Sequence, residues 1–138
     1  MMLAAEDRMA ITELIGLHGH LLDDGEPGRL DEVFTADVVY DASALGHGEM
    51  RGVEAVRDAA GAMGGRGPIG HHVTNIVLTG LDDGRVLARS KGIGVRADGS
   101  CGSVTYDDVV VRGERGWRIA RREAAPRRVA PGTDGRDG

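Results

Sequence analysis

Residues 73–95 read VTNIVLTGLDDGRVLARSKGIGV, and this stretch decides the fold. Val73 to Thr79 is rich in β-branched residues and bounded by Gly70 and Gly80, which predicts a strand. Asp82-Asp83-Gly84 predicts a hairpin turn, and Val86 to Val95 predicts the returning strand. Working outward, Asp98-Gly99 turns again and Ser103 to Val111 predicts a third long strand. Gly113 to Gly116 turns into a fourth, Trp117 to Ala124. Consecutive strands joined by short turns pair antiparallel. The strand 86–95 has an unusual face, because Ala88, Ser90, Gly92 and Gly94 are all small, while Arg89 and Lys91 occupy the other side. Small side chains leave space. If that face looks toward the helices it predicts a cavity; the alternative is a small face open to solvent, against which Arg89 and Lys91 count.

The N-terminal half has a different period. Ile11, Leu14, Ile15, His18, Leu21 and Leu22 recur at helical spacing and predict a helix over roughly Ala5 to Asp23. His18 falls within the apolar stripe and is expected to be buried; His20 points away. Gly25 is a natural stop, and Pro27 opens a short second helix with Leu30, Val33 and Phe34 as its buried side. Asp37 to Ser43 predicts a strand, with Val38 and Tyr40 on one face. After a turn-rich link over residues 46–52, Val53, Val56, Ala60 and Met63 predict a third helix. Helices first and a meander of strands after implies an α+β domain with helices on one face of a sheet. Residues 1–125 are expected to form this one domain, and residues 126–138, rich in Arg, Pro, Gly and Asp, a disordered tail.

The net charge of −5 argues against nucleic acid as a partner, since there is no excess of positive charge to displace phosphate counterions. Sixteen of the seventeen basic residues are Arg, a bias we attribute to a GC-rich genome. Cys101 is the only cysteine, so no internal disulfide is possible. No apolar run approaches the ~18 residues of a membrane span, and the acidic start is unlike a secretion signal. The expected location is cytoplasmic.

Several short motifs then line up in order. Leu22-Asp23-Asp24-Gly25-Glu26 is followed by Leu30, Val33-Phe34 and Asp37, and then by Gly52 to Val56. His72-x-x-Asn75, Tyr106-x-Asp108 and Gly116-Trp117-Arg118-Ile119 through Arg121 follow on the strands. From Ala5 to Arg122 this series resembles the SnoaL-like branch of the nuclear-transport-factor-2-like superfamily. The resemblance implies a cone: a strongly curved, mainly antiparallel sheet wrapped over three N-terminal helices, with a mostly apolar pocket inside. Relatives include scytalone dehydratase, ketosteroid isomerase and polyketide cyclases, several of which are acid/base enzymes without a cofactor. Others are not catalysts, so the fold alone does not decide the function.

The resemblance also implies a site. Asp23 ends the first helix, against the partial negative charge of its exposed carbonyl ends, and His72 opens the first long strand. In the dehydratase relatives an Asp and a His at these positions work as a pair. Tyr40 stands where those relatives carry a phenol that hydrogen-bonds the substrate carbonyl. They often carry Tyr five residues before the helix Asp; here that position is His18, which either replaces the phenol as proton donor or is an ordinary buried core histidine in a repurposed or inactive site. Tyr106 and Asp108 share a strand face, and Arg121 on the next strand is the expected partner of Asp108; all three are candidate substrate-binding groups, with a structural Asp108–Arg121 ion pair as the alternative. His18, His20 and Asp23 imitate metal spacing, but helix positions i and i+2 do not face each other, so no metal is expected.

Together these residues point to a cofactor-independent dehydratase, cyclase or isomerase. Its substrate is expected to be a small hydrophobic carbonyl compound of polyketide, terpenoid or steroid type. The competing class is a non-catalytic small-molecule-binding or accessory module. Trp117, Ile119, Val109 and Val111 are expected to give the sheet an apolar outer face, and with the habit of the relatives this predicts a homo-oligomer, a dimer ahead of a trimer.

Overall fold

The structure is a computed structural model that describes residues 2–126; the expected C-terminal tail lies, apart from Pro126, outside the described residues. Helix α1 (Ala5–Asp23) buries Ile11, Leu14, Ile15, His18 and Leu21, the stripe that the sequence spacing puts on one face. His18 is 4% exposed, and His20 lies in solvent, so the helical phase expected from sequence holds. Glu6 and Asp7 sit in the first turn, where carboxylates complement the helix dipole. Asp7 also accepts from Trp117 Nε1 at 3.2 Å and pairs with Arg112, tying the start of α1 to the sheet. Gly25, at φ +65°, turns the chain out of the helix.

The second helix is only a 3₁₀ segment, Pro27–Glu32, in keeping with the poor helix formers Pro27 and Gly28 at its start. Strand β1 (Phe34–Ala42) follows, and the turn-rich link contains a short strand, β2 (Gly48–Arg51). Helix α2 (Val53–Met63) buries Val53 and Val56. Then come β3 (Gly70–Gly80), β4 (Val86–Val95), β5 (Cys101–Gly113) and β6 (Gly116–Pro126). The six strands form one curved sheet in the order β2-β1-β6-β5-β4-β3, parallel between β1 and β6 and antiparallel elsewhere. The core lies between α1 and the concave face, where Ile11, Ile15, Phe34, Val38, Val86 and Val110 are all 0–1% exposed. Full burial of each large apolar side chain contributes about 1.5–3 kcal/mol.

Two bulges set which residues face that core. In β3, Thr74 pairs with Lys91 and Val77 with Arg89, so β3 spends one more residue than β4. Asn75 stands in this step at φ +55°, a conformation that Asn tolerates better than most residues. The inward phase therefore changes from His71 and Val73 to Ile76 and Leu78. In β6, Ile119 pairs with Val110 and Arg121 with Val109, leaving Ala120 as the extra residue. The inward set is Trp117, Ile119, Arg122 and Ala124. A one-residue slip moves every later side chain to the opposite face.

Two expectations change as a result. Trp117 and Ile119 belong to the core and not to the outer face. The outer face instead exposes Val77, Leu87 and Ile93, with Val109 and Val111 half-buried among charged neighbours. The small residues of β4 do face inward, yet they do not line the cavity. A Cβ on Gly92 would lie 2.6 Å from the Tyr106 ring, and one on Gly94 would lie 2.9 Å from Pro68. These glycines make room for Tyr106 and Pro68.

Candidate functional site

Asp23 and His71 meet at the end of α1. Gly19 lets the helix approach β3 closely, since a Cβ there would stand 2.5 Å from the His71 carbonyl oxygen. That approach brings the His71 backbone N–H within 3.0 and 3.1 Å of the two Asp23 carboxylate oxygens. His71 Nδ1 lies 2.7 Å from Asp23 Oδ1. The two side chains are about a quarter exposed, so the pair is open to a ligand without being flooded. His72, expected to be the partner of Asp23, is exposed on the other side of the strand. The physical reason is the bulge at Asn75: strict alternation from Ile76 and Leu78 would put His72 inside, and the extra residue puts His71 there instead.

Behind this pair is a buried polar cluster. Arg122 Nε and Nη2 donate to the Asp108 carboxylate oxygens at 2.8 and 2.9 Å, and both side chains are fully buried. The guanidinium lies 4.1 Å from the centre of the Tyr106 ring and 5.8 Å from that of Tyr40. Its Nη1 is 3.3 Å from His18 Nδ1. Burial works against charge on Arg122, but the Asp108 charge and hydrogen bonds outweigh it and keep the guanidinium protonated. The sequence reading gave Asp108 the wrong arginine. Arg121 points outward and comes no nearer than 3.9 Å to Asp41, because the extra residue at Ala120 gives the inward position to Arg122. Ile119 and Ala124, five apart, share the inward face because the bulge lies between them.

The electrostatics follow from burial. His18 is held neutral, well below its usual range, by its removal from water, then by the Arg122 charge and by His71. Burial pushes the Tyr40 phenol up to about 12, with Arg122 pulling back. Tyr106 is also raised, again by burial first. Both phenols are therefore hydrogen-bond donors at neutral pH.

A cavity of about 410 Å³ opens beside these groups, between α1, α2, β1 and the start of β3. His18, Tyr40 and His71 reach it from three different elements. Most of the remaining wall is apolar, including Leu22, Leu45, Met50, Val56 and Met63. This mixture, an apolar wall with a few converging polar groups, is typical of small-molecule sites. His47 and Met50 are part of the wall and carried no signal in the sequence, and Met63, expected on the buried side of its helix, lines the cavity too. Tyr106, Asp108 and Arg121 do not line it; the first two lie buried against Arg122, and Arg121 is on the outer face. A second hollow, of about 500 Å³, lies on the outer sheet face around Val77, Leu87, Arg89, Asp107 and Arg121. Arg89, Asp107, Arg121 and Glu123 around it are exposed, and its lining includes no histidine or tyrosine.

Known proteins bear on this arrangement in three ways. No curated protein matches the chain. Among solved structures, a candidate aromatic ring hydroxylase from Novosphingobium aromaticivorans is 27% identical, with a TM-score of 0.73 and 93% of this chain and 94% of that one covered. A candidate scytalone dehydratase from the same organism is 19% identical, with a TM-score of 0.73 over 91% and 89% of the two chains. The Aln2 protein from a Streptomyces species is 21% identical, with a TM-score of 0.76 over 91% and 94%. At these identities, the last two likenesses establish the shared fold alone. The SnoaL-like domain family matches residues 4–123, nearly the whole of the described fold, and the chain belongs to that family.

Proposed function

We infer that the protein is a cofactor-independent acid/base enzyme that removes a proton next to the carbonyl of a small hydrophobic compound. The observation that carries this reading is the Asp23–His71 pair, 2.7 Å apart, with His71 reaching a mostly apolar cavity. An ionised carboxylate only accepts hydrogen bonds, so Asp23 fixes the His71 proton on Nδ1 and leaves Nε2 as the base. The Nε2 lone pair takes the proton, the C–H electrons form an enolate, and the carbonyl oxygen gains negative charge. Hydrogen bonds from His18 and Tyr40 would stabilise that oxygen where charge develops. In a β-hydroxy ketone the enolate then expels the hydroxyl group, which leaves as water with the proton carried by His71. The base is regenerated and nothing is oxidised. Cyclisation and double-bond isomerisation begin with the same proton transfer. Polyketide, terpenoid and steroid-like compounds have the required carbonyl and apolar body.

In this reading His72 and Arg121 have no chemical role, and Tyr106, Asp108 and Arg122 support the groups that touch substrate. The test is dehydration of 4-hydroxy-4-phenylbutan-2-one, followed by the absorbance of the enone product. Acceleration by the wild type that is lost in Asp23→Asn and His71→Phe supports the enzyme. Saturable binding of the ketone without turnover in either protein would favour a binding module with the same pocket.

A further inference from the structure

Two of the three histidines that line the cavity, His18 and His71, are held by neighbours of opposite charge. His71 Nδ1 faces the Asp23 carboxylate at 2.7 Å, and His18 Nδ1 faces the Arg122 guanidinium at 3.3 Å. A guanidinium has only N–H groups, so it donates and never accepts. His18 Nδ1 is therefore the accepting nitrogen, and a neutral ring must carry its one proton on Nε2. The carboxylate imposes the opposite pattern on His71. Among the described residues His18 Nε2 has no hydrogen-bond partner, and the ring forms part of the cavity wall.

Arg122 is well fixed for such a task. Two hydrogen bonds tie it to Asp108, it stacks on Tyr106, and its side chain is fully buried. His18 is gripped as well, by edge contacts with Phe34 at 5.7 Å and Tyr106 at 6.2 Å between ring centres. The titratable and charged groups that bear on His18 are Arg122 from β6, Tyr106 from β5 and His71 from β3, while Asp108 from β5 and Tyr40 from β1 face Arg122. Of these, Arg122 alone hydrogen-bonds the His18 ring. Asp108 is occupied twice by Arg122 and leaves His18 no carboxylate of its own.

We propose that Arg122 is a positioning residue that locks His18 as the Nε2–H tautomer, so that the cavity holds one histidine that donates beside one that accepts. For its purpose the proposal rests on the acid/base reading; the tautomer itself stands on the geometry. The matched ligand presents a carbonyl oxygen to His18 and an acidic hydrogen to His71. A ligand with acceptors at both positions would leave the His71 lone pair facing a lone pair, and the cavity would disfavour it.

The test is a long-range proton–nitrogen correlation spectrum of the full chain labelled with ¹⁵N-histidine. The expected His18 pattern is a protonated Nε2 and a bare Nδ1, kept as the pH falls below the range in which a free histidine becomes charged. A paired Arg122→Met, Asp108→Leu variant, confirmed as folded by circular dichroism, should lose the fixed tautomer and show an average of both. Adding 2-tetralone should shift the His18 Nε2–H signal in the wild type. A wild-type spectrum with the proton on Nδ1, or an imidazolium at neutral pH, overturns the proposal. So does a paired variant whose tautomer is unchanged, and no response at the solubility limit of the ketone removes the donor role. If the paired variant does not fold, the wild-type spectrum decides alone. Failure of the enzyme reading would instead appear as absent turnover with the His18 tautomer intact.

Discussion

Gly16 and Gly19 lie three residues apart on α1, and replacing each by alanine should move stability in opposite directions. Alanine is favoured over glycine inside a helix by about 0.8–1 kcal/mol. At Gly16 a new Cβ meets nothing within 4 Å, so Gly16→Ala should be stabilising by up to about that amount. At Gly19 the Cβ would stand 2.5 Å from the backbone oxygen of His71. A backbone oxygen cannot rotate away as a side-chain tip would. Reaching ordinary contact near 3.4 Å requires the start of β3 to move off by about 0.9 Å. That shift would stretch the His71 N–H to Asp23 bonds, now 3.0 and 3.1 Å, beyond hydrogen-bond range. Overpacking of this kind costs about 1–3 kcal/mol. After the helix gain is subtracted, the net loss for Gly19→Ala is about 0–2 kcal/mol. The two variants should then differ by about 1–3 kcal/mol, or on the order of 10 °C in Tm at the upper end for a domain of this size. Urea titration monitored by circular dichroism measures the difference. The ¹⁵N spectrum of His71 reports whether its Nδ1 proton is still held. A Gly19→Ala protein as stable as Gly16→Ala, with the His71 signal unchanged, would refute the close approach of helix and strand on which the Asp23–His71 pair depends.

Other expectations follow from the same geometry. Arg122→Met alone leaves the fully buried Asp108 carboxylate without its partner and should cost about 3–5 kcal/mol, whereas adding Asp108→Leu should recover most of that; a pair no better than the single variant in urea unfolding would contradict the buried ion pair. His18 is depressed below its usual 6.5 in the folded state, so as pH falls below that value the unfolded chain takes up a proton that the folded one refuses. Stability is thus lost as pH falls, by up to about 1.4 kcal/mol per pH unit from this group, and the slope should flatten in His18→Phe; equal slopes in the two proteins would count against a buried neutral imidazole. The outer face, with Val77 64% and Leu87 43% exposed, should pair with a second copy of the chain, and light scattering should show a dimer that Val77→Lys, Leu87→Lys breaks. A wild-type monomer at micromolar concentration would remove that expectation.

Local signals made most of the fold legible. The apolar spacing from Ile11 to Leu22 carried α1 to its observed ends, and the turns at Asp82-Asp83-Gly84 and Asp98-Gly99 delimited β4. The burial of His18 followed from the same helical phase. The site was less legible because it depends on which way single strand residues point, and strict alternation fails at Asn75 and at Ala120. Each bulge gave the inward position to the neighbour of the residue chosen from sequence, His71 for His72 and Arg122 for Arg121. The apolar pattern alone does not mark either bulge, since Val77 and Ala125 keep strict alternation with Val73 and Ile119. Asn75, in a run otherwise suited to a strand, was the only local hint of where the phase changes in β3. The hydrogen bond from Arg122 to His18 joins positions 104 residues apart and had no counterpart in the sequence pattern.

The central claim is that Asp23 and His71 act together on a carbon next to a carbonyl. It is tested most directly by deuterium incorporation into 2-tetralone in D₂O, followed by NMR, with the wild type and the Asp23→Asn, His71→Phe and His72→Phe variants compared at equal concentration. The account predicts faster exchange at the carbons beside the carbonyl with the wild type and with His72→Phe, and loss of that acceleration with Asp23→Asn and His71→Phe. Exchange no faster than in buffer with the wild type, or acceleration that survives in His71→Phe and disappears in His72→Phe, would contradict it.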